Sequence, residues 1–309
     1  MTTIITAAGL VGTSFAQHAV RRGEKIVFID PIPREDFIRA RLGNADFVQV
    51  RDDVRNLAGL ISTIDKYKAD TLVHSASLIG NPIHNGYAIN VGGTLNAAEA
   101  ARLTGIRRVV HISTFGIYDW RRVTENPVPE TAPLGQGTAY SNSKVSQEMI
   151  WEAYRADAGF ELLMLRLANV FGVGHFWGGS GGGQKVQDLV TAGITGKPAK
   201  IPEEQTMDFV YLYSKDTGRA IDLAATIDAP KELQFNIGYP FVTSFDELVE
   251  TIRGHLPNLK VEIVKGTPPI NRAIPLDISR AENVLGWKPE YSLSDAFADY
   301  IADMRAEMG

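Results

Sequence analysis

Short apolar runs alternate along the first half of the chain with longer segments in which apolar residues recur at helical spacing. Phe15, Ala16, Ala19 and Val20 have this spacing between the first two runs, and Gly23 ends their segment. Six apolar runs are predicted β-strands: Thr3–Thr6, Lys25–Asp30, Asp46–Val50, Asp70–His74, Arg108–Ile112 and Glu161–Leu167. Because helix-length segments separate the strands, the pattern predicts an α/β fold with a Rossmann-type, doubly wound parallel sheet. Its ligand should lie across the carboxyl ends of the strands.

A glycine-containing turn follows the first predicted strand. Gly9 would let the backbone approach a pyrophosphate above the helix N-terminus, and Gly12 would let the helix pack closely on the sheet. Asp30 ends the second strand, where a carboxylate can bind the adenosine ribose diol and repel a 2′-phosphate. This order favours NAD over NADP, although Arg34 keeps the NADP alternative open. The competing interpretation is an ordinary glycine turn followed by a surface aspartate.

Tyr140 and Lys144 begin a predicted helix, and their spacing of four residues puts both side chains on one face. Lys144 could therefore bias the ionisation of the phenol, whose pKa of about 10 would have to fall by roughly 3 units for proton transfer near neutral pH. The Tyr-x-x-x-Lys pattern is expected by chance about 0.4 times in such a chain, and it occurs again at Tyr211 and Lys215. The pattern alone does not choose between the two copies.

Composition excludes several classes of function. A net charge of -5 without basic runs argues against nucleic acid and anionic membranes as partners, and no apolar stretch has the length of a membrane helix. The expected location is therefore cytoplasmic. With no cysteine, the chain has no disulfide, thiolate nucleophile or Cys-ligated metal, and no paired-histidine motif suggests a metal site.

Nearly the whole chain resembles the extended short-chain dehydrogenase/reductases, the NAD-dependent epimerase/dehydratase family. The resemblance rests on motifs that occur in the family's order and spacing. They are Gly9-x-x-Gly12, Asp30, Asp53-Val54, Asn90-Val91-Gly92-Gly93-Thr94, Ser113-Thr114-x-x-Ile117-Tyr118, Tyr140-x-x-x-Lys144 and Leu165-Arg166-x-x-Asn169-Val170-Phe171-Gly172. Further matches continue to Leu285-Gly286-Trp287. By this resemblance Tyr140 is the catalytic tyrosine, whereas Tyr211 is structural.

The resemblance implies a role for each motif. Tyr140 takes the proton of a substrate hydroxyl, Lys144 holds the nicotinamide ribose, and Thr114 hydrogen-bonds the same hydroxyl. The implied NAD-binding residues are Gly9, Leu10, Val11, Gly12, Asp30, Asp53, Val54, Ser75, Ala76, Asn90, Ile112, Tyr140 and Lys144. The candidate substrate-binding residues are Thr114, Phe115, Asn169, His175, Trp177, Arg272 and His84. The glycine-rich loop that carries His175 and Trp177 would cover the substrate or, as the alternative, would be a flexible surface loop anchored by its tryptophan. His84 lies in the predicted loop after the fourth strand, where a solvated histidine is the alternative, and Arg272 is a candidate contact to a substrate diphosphate.

Several departures from the family pattern shape the predicted function. Phe115 and Gly116 stand where dehydratases carry an Asp-Glu pair, so we expect a dehydrogenase or a 4-epimerase rather than a dehydratase. Met207 and Thr267 stand where nucleotide-sugar members carry diphosphate-binding arginines. Losing two such contacts would cost about 1.5 to 3 kcal/mol each.

These losses favour an NAD-dependent oxidoreductase acting on a sugar, sugar acid or hydroxy acid. The alternatives are a nucleotide-sugar 4-epimerase and, in another class, a non-catalytic NAD-binding regulatory protein. Thr6 replaces the family's first glycine, which predicts weaker NAD binding.

The resemblance also implies a domain division and an assembly. Residues 1–168 with a returning segment 208–237 would form the NAD-binding domain, and residues 169–207 and 238–309 the smaller substrate-binding domain. The helices at 93–104 and 140–155 resemble those of the family's dimer interface, so a homodimer is expected.

Overall fold

The computed structural model describes residues 1–79, 82–135, 137–174, 181–228, 231–270 and 273–308. Its strands are β1 (Thr2–Thr6), β2 (Lys25–Ile29), β3 (Phe47–Val50), β4 (Thr71–His74), β5 (Arg108–Thr114), β6 (Glu161–Leu167), β7 (Asn169–Phe171), β8 (Ala199–Pro202), β9 (Tyr211–Tyr213), β10 (Gln234–Ile237) and β11 (Val261–Val264). Its α-helices are α1 (Leu10–Arg21), α2 (Glu35–Leu42), α3 (Leu57–Tyr67), α4 (Ile83–Tyr87), α5 (Gly93–Thr104), α6 (Ala139–Ala158), α7 (Gly181–Thr195), α8 (Ser214–Thr226), α9 (Phe245–His255) and α10 (Leu293–Met308).

Seven parallel strands form the main sheet, in the order β10-β6-β5-β4-β1-β2-β3. The strand order reverses direction beside β1, so the carboxyl ends of β1 and β4 diverge there and open a crevice. Strands buried on both faces need continuous apolar runs, and Ile4, Ile5, Val27 and Phe28 are fully buried. The predicted α/β class and parallel Rossmann-type sheet are confirmed.

Strand β5 continues two residues beyond its predicted end at Ile112. Its pairing with β6 runs in register from Arg108 opposite Glu161 to Thr114 opposite Leu167. Thr114 is thus the last residue of a central strand, and its hydroxyl accepts a hydrogen bond from the Gly116 N–H at 3.1 Å.

Local capping explains the position of α6, the helix that carries Tyr140. The Thr138 hydroxyl accepts the Ser141 N–H at 3.1 Å, which satisfies one of the free donors of the first turn. Gly159 ends the helix with φ of 74°, a left-handed conformation that glycine adopts without strain. Tyr140 is therefore fixed in the first turn, at the end of α6 nearest the sheet edge.

The second half of the chain adds a smaller apolar core. Phe171, Leu189, Ile252, Phe297 and their neighbours form a cluster apart from the one around the main sheet. Two parallel two-stranded sheets accompany this core, β7 with β9 and β8 with β11. Within the predicted returning segment, β10 joins the main sheet, whereas β9 pairs with β7. The proposed domain boundaries stay a prediction. None of the helices in the described part of the chain is long and apolar enough to cross a membrane.

Candidate active site

A cleft of about 430 Å³ lies along the carboxyl ends of the central strands. This volume is within the range of small-molecule sites. Twelve of the thirteen predicted cofactor residues line it: Gly9, Leu10, Val11, Gly12, Asp30, Asp53, Val54, Ser75, Ala76, Ile112, Tyr140 and Lys144. The chain places these residues together because parallel strands bring successive loops to one edge of the sheet.

The turn between β1 and α1 forms the floor of the cleft. A Cβ on Gly12 would lie 2.5 Å from the Ala7 carbonyl oxygen and 2.9 Å from Ile5 Cγ2, so only glycine permits this helix–strand contact. A Cβ on Gly9 would meet no atom within 4 Å, and Gly9 is the N-cap residue directly before α1. Ala7 has φ of 79°, a conformation costly for a residue with a side chain. The first N–H groups of α1 thus face open space that suits a pyrophosphate.

Asp30 supplies the carboxylate at the adenosine end of the cleft. Its side chain is almost fully buried and accepts the N–H of Ala8 at 2.9 Å and the N–H of Ile32 at 2.8 Å. Arg34 Nε lies 3.8 Å from the same carboxylate. Each carboxylate oxygen can accept a second hydrogen bond, so the group remains able to bind a ribose diol. These features fit NAD.

Tyr140 and Thr114 meet where the cleft passes the end of β5. The side-chain hydroxyls of Thr114 and Ser77 are the hydrogen-bonding groups that act on the Tyr140 phenol. Burial raises the pKa of Tyr140 to about 12, and the two hydroxyls act in the opposite direction. Sequence spacing predicted that Lys144 lowers this pKa. In the structure the shift is upward, because burial outweighs the neighbouring groups.

Lys144 lies one turn further along α6 and is almost fully buried. Its ammonium donates to the Ile112 carbonyl at 2.9 Å, which points it at the end of β5. Burial lowers the pKa of Lys144 to about 7, and the Glu148 carboxylate opposes that effect. A lysine with this pKa changes charge close to neutral pH.

The remaining predicted residues lie outside the cleft or outside the described residues. Phe115 packs against Trp120, with ring centroids 5.8 Å apart, and the Asn169 amide donates to the Val210 carbonyl at 3.3 Å. His84 is exposed on the short helix α4 rather than in a loop. Asn90, the thirteenth cofactor residue, is not among the residues that line the cleft, and its side-chain amide pairs with the backbone of Leu78, which does line it. Three predicted substrate residues fall outside the described residues: His175, Trp177 and Arg272.

Ser77 is the residue that sequence reasoning missed. It lines the cleft three residues beyond the end of β4, directly after Ser75 and Ala76, which the resemblance had assigned to the cofactor. Its hydroxyl also lies 3.4 Å from Asn90 Oδ1. The sequence signal that could have identified Ser77 was its hydroxyl group, since it directly follows two residues already assigned to the cofactor site.

The fold and the site together define an NAD-binding α/β enzyme with a helix-borne Tyr/Lys pair and a strand-end threonine. A profile of the NAD dependent epimerase/dehydratase family matches residues 3–238, and the chain belongs to that family, with NAD as its cofactor.

Several curated relatives match nearly the whole chain. One is the UDP-glucose 4-epimerase of Mycolicibacterium smegmatis, 28% identical over 316 residues and 99% of each chain. Another is a dTDP-glucose 4,6-dehydratase of Xanthomonas campestris, 25% identical over 95% of this chain and 90% of the relative. The fold is similar to that of the UDP-glucuronic acid 4-epimerase of Bacillus cereus in complex with UDP-glucuronic acid and NAD, with a TM-score of 0.84, 21% identity and coverage of 99% and 100%.

Proposed function

We propose that the protein modifies a nucleotide sugar and that its reaction is 4-epimerisation. The observation that carries the proposal is the meeting of Tyr140, Thr114 and Ser77 at one point of the cleft, one helical turn from Lys144. The substrate class is supported by the relatives, which include proteins named as UDP-glucose 4-epimerase, UDP-glucuronic acid decarboxylase and dTDP-glucose 4,6-dehydratase. They favour the alternative drawn from sequence over the small-carbohydrate dehydrogenase that sequence reasoning preferred.

The proposed reaction moves one proton and one hydride. The 4-hydroxyl of the sugar would lie between Thr114 and Tyr140, with Thr114 orienting it and the Tyr140 oxygen taking its proton. NAD bound in the cleft would supply the hydride acceptor for C4, so that oxidation there would leave a 4-keto sugar. If that ketone turns over in the site, both steps reverse on its other face and the epimer forms without net reduction of NAD. Lys144 would hold the cofactor ribose beside this point.

The two residues after Thr114 argue for epimerisation over dehydration. Elimination of water needs an acid and a base beside the catalytic hydroxyl. Here Phe115 is turned toward Trp120, and Gly116 has no side chain. Neither residue can transfer a proton, although a dehydratase is among the relatives.

Lys185 supports a substrate that carries a diphosphate. The position after Thr206, which family resemblance assigns to a diphosphate-binding arginine, holds Met207, and the Lys185 ammonium lies 3.3 Å from the Met207 carbonyl oxygen. The same ammonium donates to the Gln205 carbonyl at 2.8 Å. A cation is thus held beside the backbone where the arginine is missing. It could replace part of the lost charge.

A homodimer is part of the proposal. Leu95 and Leu103 on α5 and Met149 on α6 are large apolar residues with about half or more of their surface exposed. Two packed helices that expose such residues suit contact with a second copy. Sedimentation as a monomer at micromolar concentration would contradict this part of the proposal.

A nucleotide-sugar panel tests the function directly. Purified protein is incubated with NAD and with UDP-glucose, UDP-glucuronic acid or dTDP-glucose, and the products are separated and identified by proton NMR. We expect the C4 epimer of one of these substrates and no steady accumulation of NADH. Steady NADH formation with a free sugar or hydroxy acid would support the dehydrogenase instead, and a 4-keto-6-deoxy product would support a dehydratase.

A further inference from the structure

Thr6 occupies the place where the family's glycine turn begins, yet its side chain is fully buried and fully used. Its hydroxyl lies 3.1 Å from His74 Nδ1 and accepts the N–H groups of Ser75 at 3.0 Å and Ala76 at 3.1 Å. The Ser75 hydroxyl in turn donates to the Thr6 carbonyl. The end of β1 is therefore bound to the segment after β4, which forms a wall of the cofactor cleft.

The hydrogen bonds around Nε2, on the other side of the His74 ring, determine which ring nitrogen carries the proton. His74 Nε2 lies 3.0 Å from the Thr94 hydroxyl, which donates its one proton to the Asn90 carbonyl at 2.6 Å and also accepts the Gln147 amide at 2.6 Å. Since the Thr94 proton is already used, His74 Nε2 must carry a hydrogen and donate it.

A neutral ring with hydrogen on Nε2 leaves Nδ1 as an acceptor. The Thr6 hydroxyl then donates to Nδ1 and accepts from two backbone N–H groups, which uses its one proton and both lone pairs. A cationic His74 would aim a third donor at the Thr6 oxygen, which has no lone pair left for it. The hydrogen-bond count therefore requires a neutral histidine.

The surroundings of His74 favour the same state. His111 stacks on the ring with centroids 5.7 Å apart, and Trp151 packs edge-on at 5.6 Å. Burial lowers the pKa of His74 to about 3, and the charge of Lys144 adds to the effect. The ring can serve as a fixed acceptor across the physiological pH range.

The hydrogen bonds continue from His74 to the catalytic helix. Thr94 donates to Asn90, the Asn90 amide donates to the Ser143 hydroxyl at 3.0 Å, and that hydroxyl donates to the Tyr140 carbonyl at 2.8 Å. The glycine turn and the first turn of α6 are thus joined by side chains.

We propose that Thr6 and neutral His74 are positioning residues for NAD: the Thr6 hydroxyl, held by His74 Nδ1, fixes the backbone of Ser75 and Ala76 against the cofactor. The inference rests on the NAD site of the proposed function, but not on the identity of the sugar. It reverses the expectation from sequence, because Thr6 then strengthens NAD binding in this chain instead of weakening it.

Direct binding of NADH, followed by its fluorescence, separates the inference from the proposed function. Thr6→Val keeps the shape of the side chain and removes the hydroxyl, and we expect NADH affinity to fall about tenfold. Thr6→Ser should stay within about threefold of wild type. Thr6→Gly restores the family's residue but leaves His74 Nδ1 and two N–H groups without the hydroxyl, so it should also weaken binding.

Thr217→Val is the matched control, since Thr217 is buried in α8, donates to the Tyr213 carbonyl at 3.0 Å and lies away from the cleft. It should leave NADH affinity unchanged. Equal affinity in folded Thr6→Val and wild type would overturn the inference, as would tighter binding by Thr6→Gly. Failure of the wild type to bind NADH would instead overturn the NAD site itself.

The tautomer of His74 gives a test that needs no variant to bind cofactor. In ¹⁵N-labelled wild-type protein at pH 7, the ring correlations, assigned with the His74→Gln variant, should show hydrogen on Nε2 and a bare Nδ1. They should not change between pH 5 and 8. A protonated Nδ1 or a titration in that range would contradict the hydrogen-bond assignment, whichever Thr6 variants fold.

Discussion

The chain contains two Tyr-x-x-x-Lys sequences, and the fold puts them in opposite settings. Tyr140 and Lys144 share one helix at the edge of a cleft, so a spacing of four residues leaves both on the same face. Tyr211 lies in strand β9, and Lys215 lies in the helix that follows it. Across a strand-to-helix junction, a spacing of four residues does not place two side chains on the same face.

The two tyrosines differ in their surroundings as well as in the secondary-structure elements that carry them. Tyr140 has two hydroxyl partners that lower its pKa against the effect of burial. Tyr211 is buried against Phe171 and Phe209, and both burial and the charge of Asp208 raise its pKa. Tyr140 also lines the cleft, whereas Tyr211 is not among the residues that line it.

The two lysines differ in the same way. Burial lowers the pKa of Lys144 to about 7. Burial also acts to lower the pKa of Lys215, but Asp299 and Asp303 outweigh it and raise that pKa. Lys215 is held by ion pairs to these two carboxylates, the second at 3.3 Å. A sequence pattern therefore identifies a site only together with the elements that carry it.

Removal of each phenol gives the largest expected difference. Tyr140→Phe should lower the turnover number about 10²- to 10⁴-fold, the range expected for loss of a positioned acid/base group. Tyr211→Phe is the matched control and should keep wild-type turnover. Both are measured with the substrate found in the panel. Full activity of Tyr140→Phe would remove the tyrosine from the mechanism and favour a non-catalytic role for the protein.

The two lysines should differ in how they couple stability to pH. A lysine whose pKa is lowered on folding is protonated more in the unfolded chain, so stability rises with pH between its folded and unfolded pKa values. For Lys144 this window runs from about 7 to the ordinary value of 10.5. Between pH 7 and 10 the free energy of unfolding should gain about 3 to 4 kcal/mol from this residue.

Urea unfolding of cofactor-free protein at pH 7 and pH 10 measures this effect. The rise with pH should be about 3 to 4 kcal/mol smaller in Lys144→Met than in wild type, and the part that remains includes Lys185, since burial lowers the pKa of Lys185 to about 8. Lys215→Met should keep the rise and lose about 1 kcal/mol or less at pH 7, because its ion pairs are partly exposed. If the free energy of unfolding depended on pH equally in wild type and in Lys144→Met, folding would not lower the pKa of Lys144.

Features carried by periodicity were predictable from sequence. The bounds of α5 agree with those predicted, and the parallel strand order gathers Gly9, Asp30 and Tyr140 at one edge as expected. Contacts set by distant segments were not predictable. The Thr6 hydroxyl hydrogen-bonds with His74, which lies 68 residues further along the chain, and no local sequence pattern predicts that contact.

Two further residues show the same dependence on distant contacts. Asn169 lies on β7, which pairs with β9, and its amide donates to the Val210 carbonyl, so its assignment to the substrate stays a prediction. The pKa of Tyr140 was expected to be lowered by Lys144, because helical spacing reports which side chains share a face. It does not report how deeply the fold buries them, and burial raises this pKa.

Substitution of Ser77 should have the smallest effect of these changes, and it tests one of the two hydroxyl groups that act on Tyr140. Ser77→Ala removes one of the two hydroxyls that lower the pKa of Tyr140, so that pKa should rise further. If ionised Tyr140 is the base, the rising limb of turnover against pH should move to higher pH by about one unit, which lowers turnover about tenfold below that limb. Ser146→Ala is the control, because the Ser146 hydroxyl donates to the Asn142 carbonyl within α6. If the rising limb of Ser77→Ala stayed at the wild-type pH, Ser77 would have no part in setting the pKa of Tyr140.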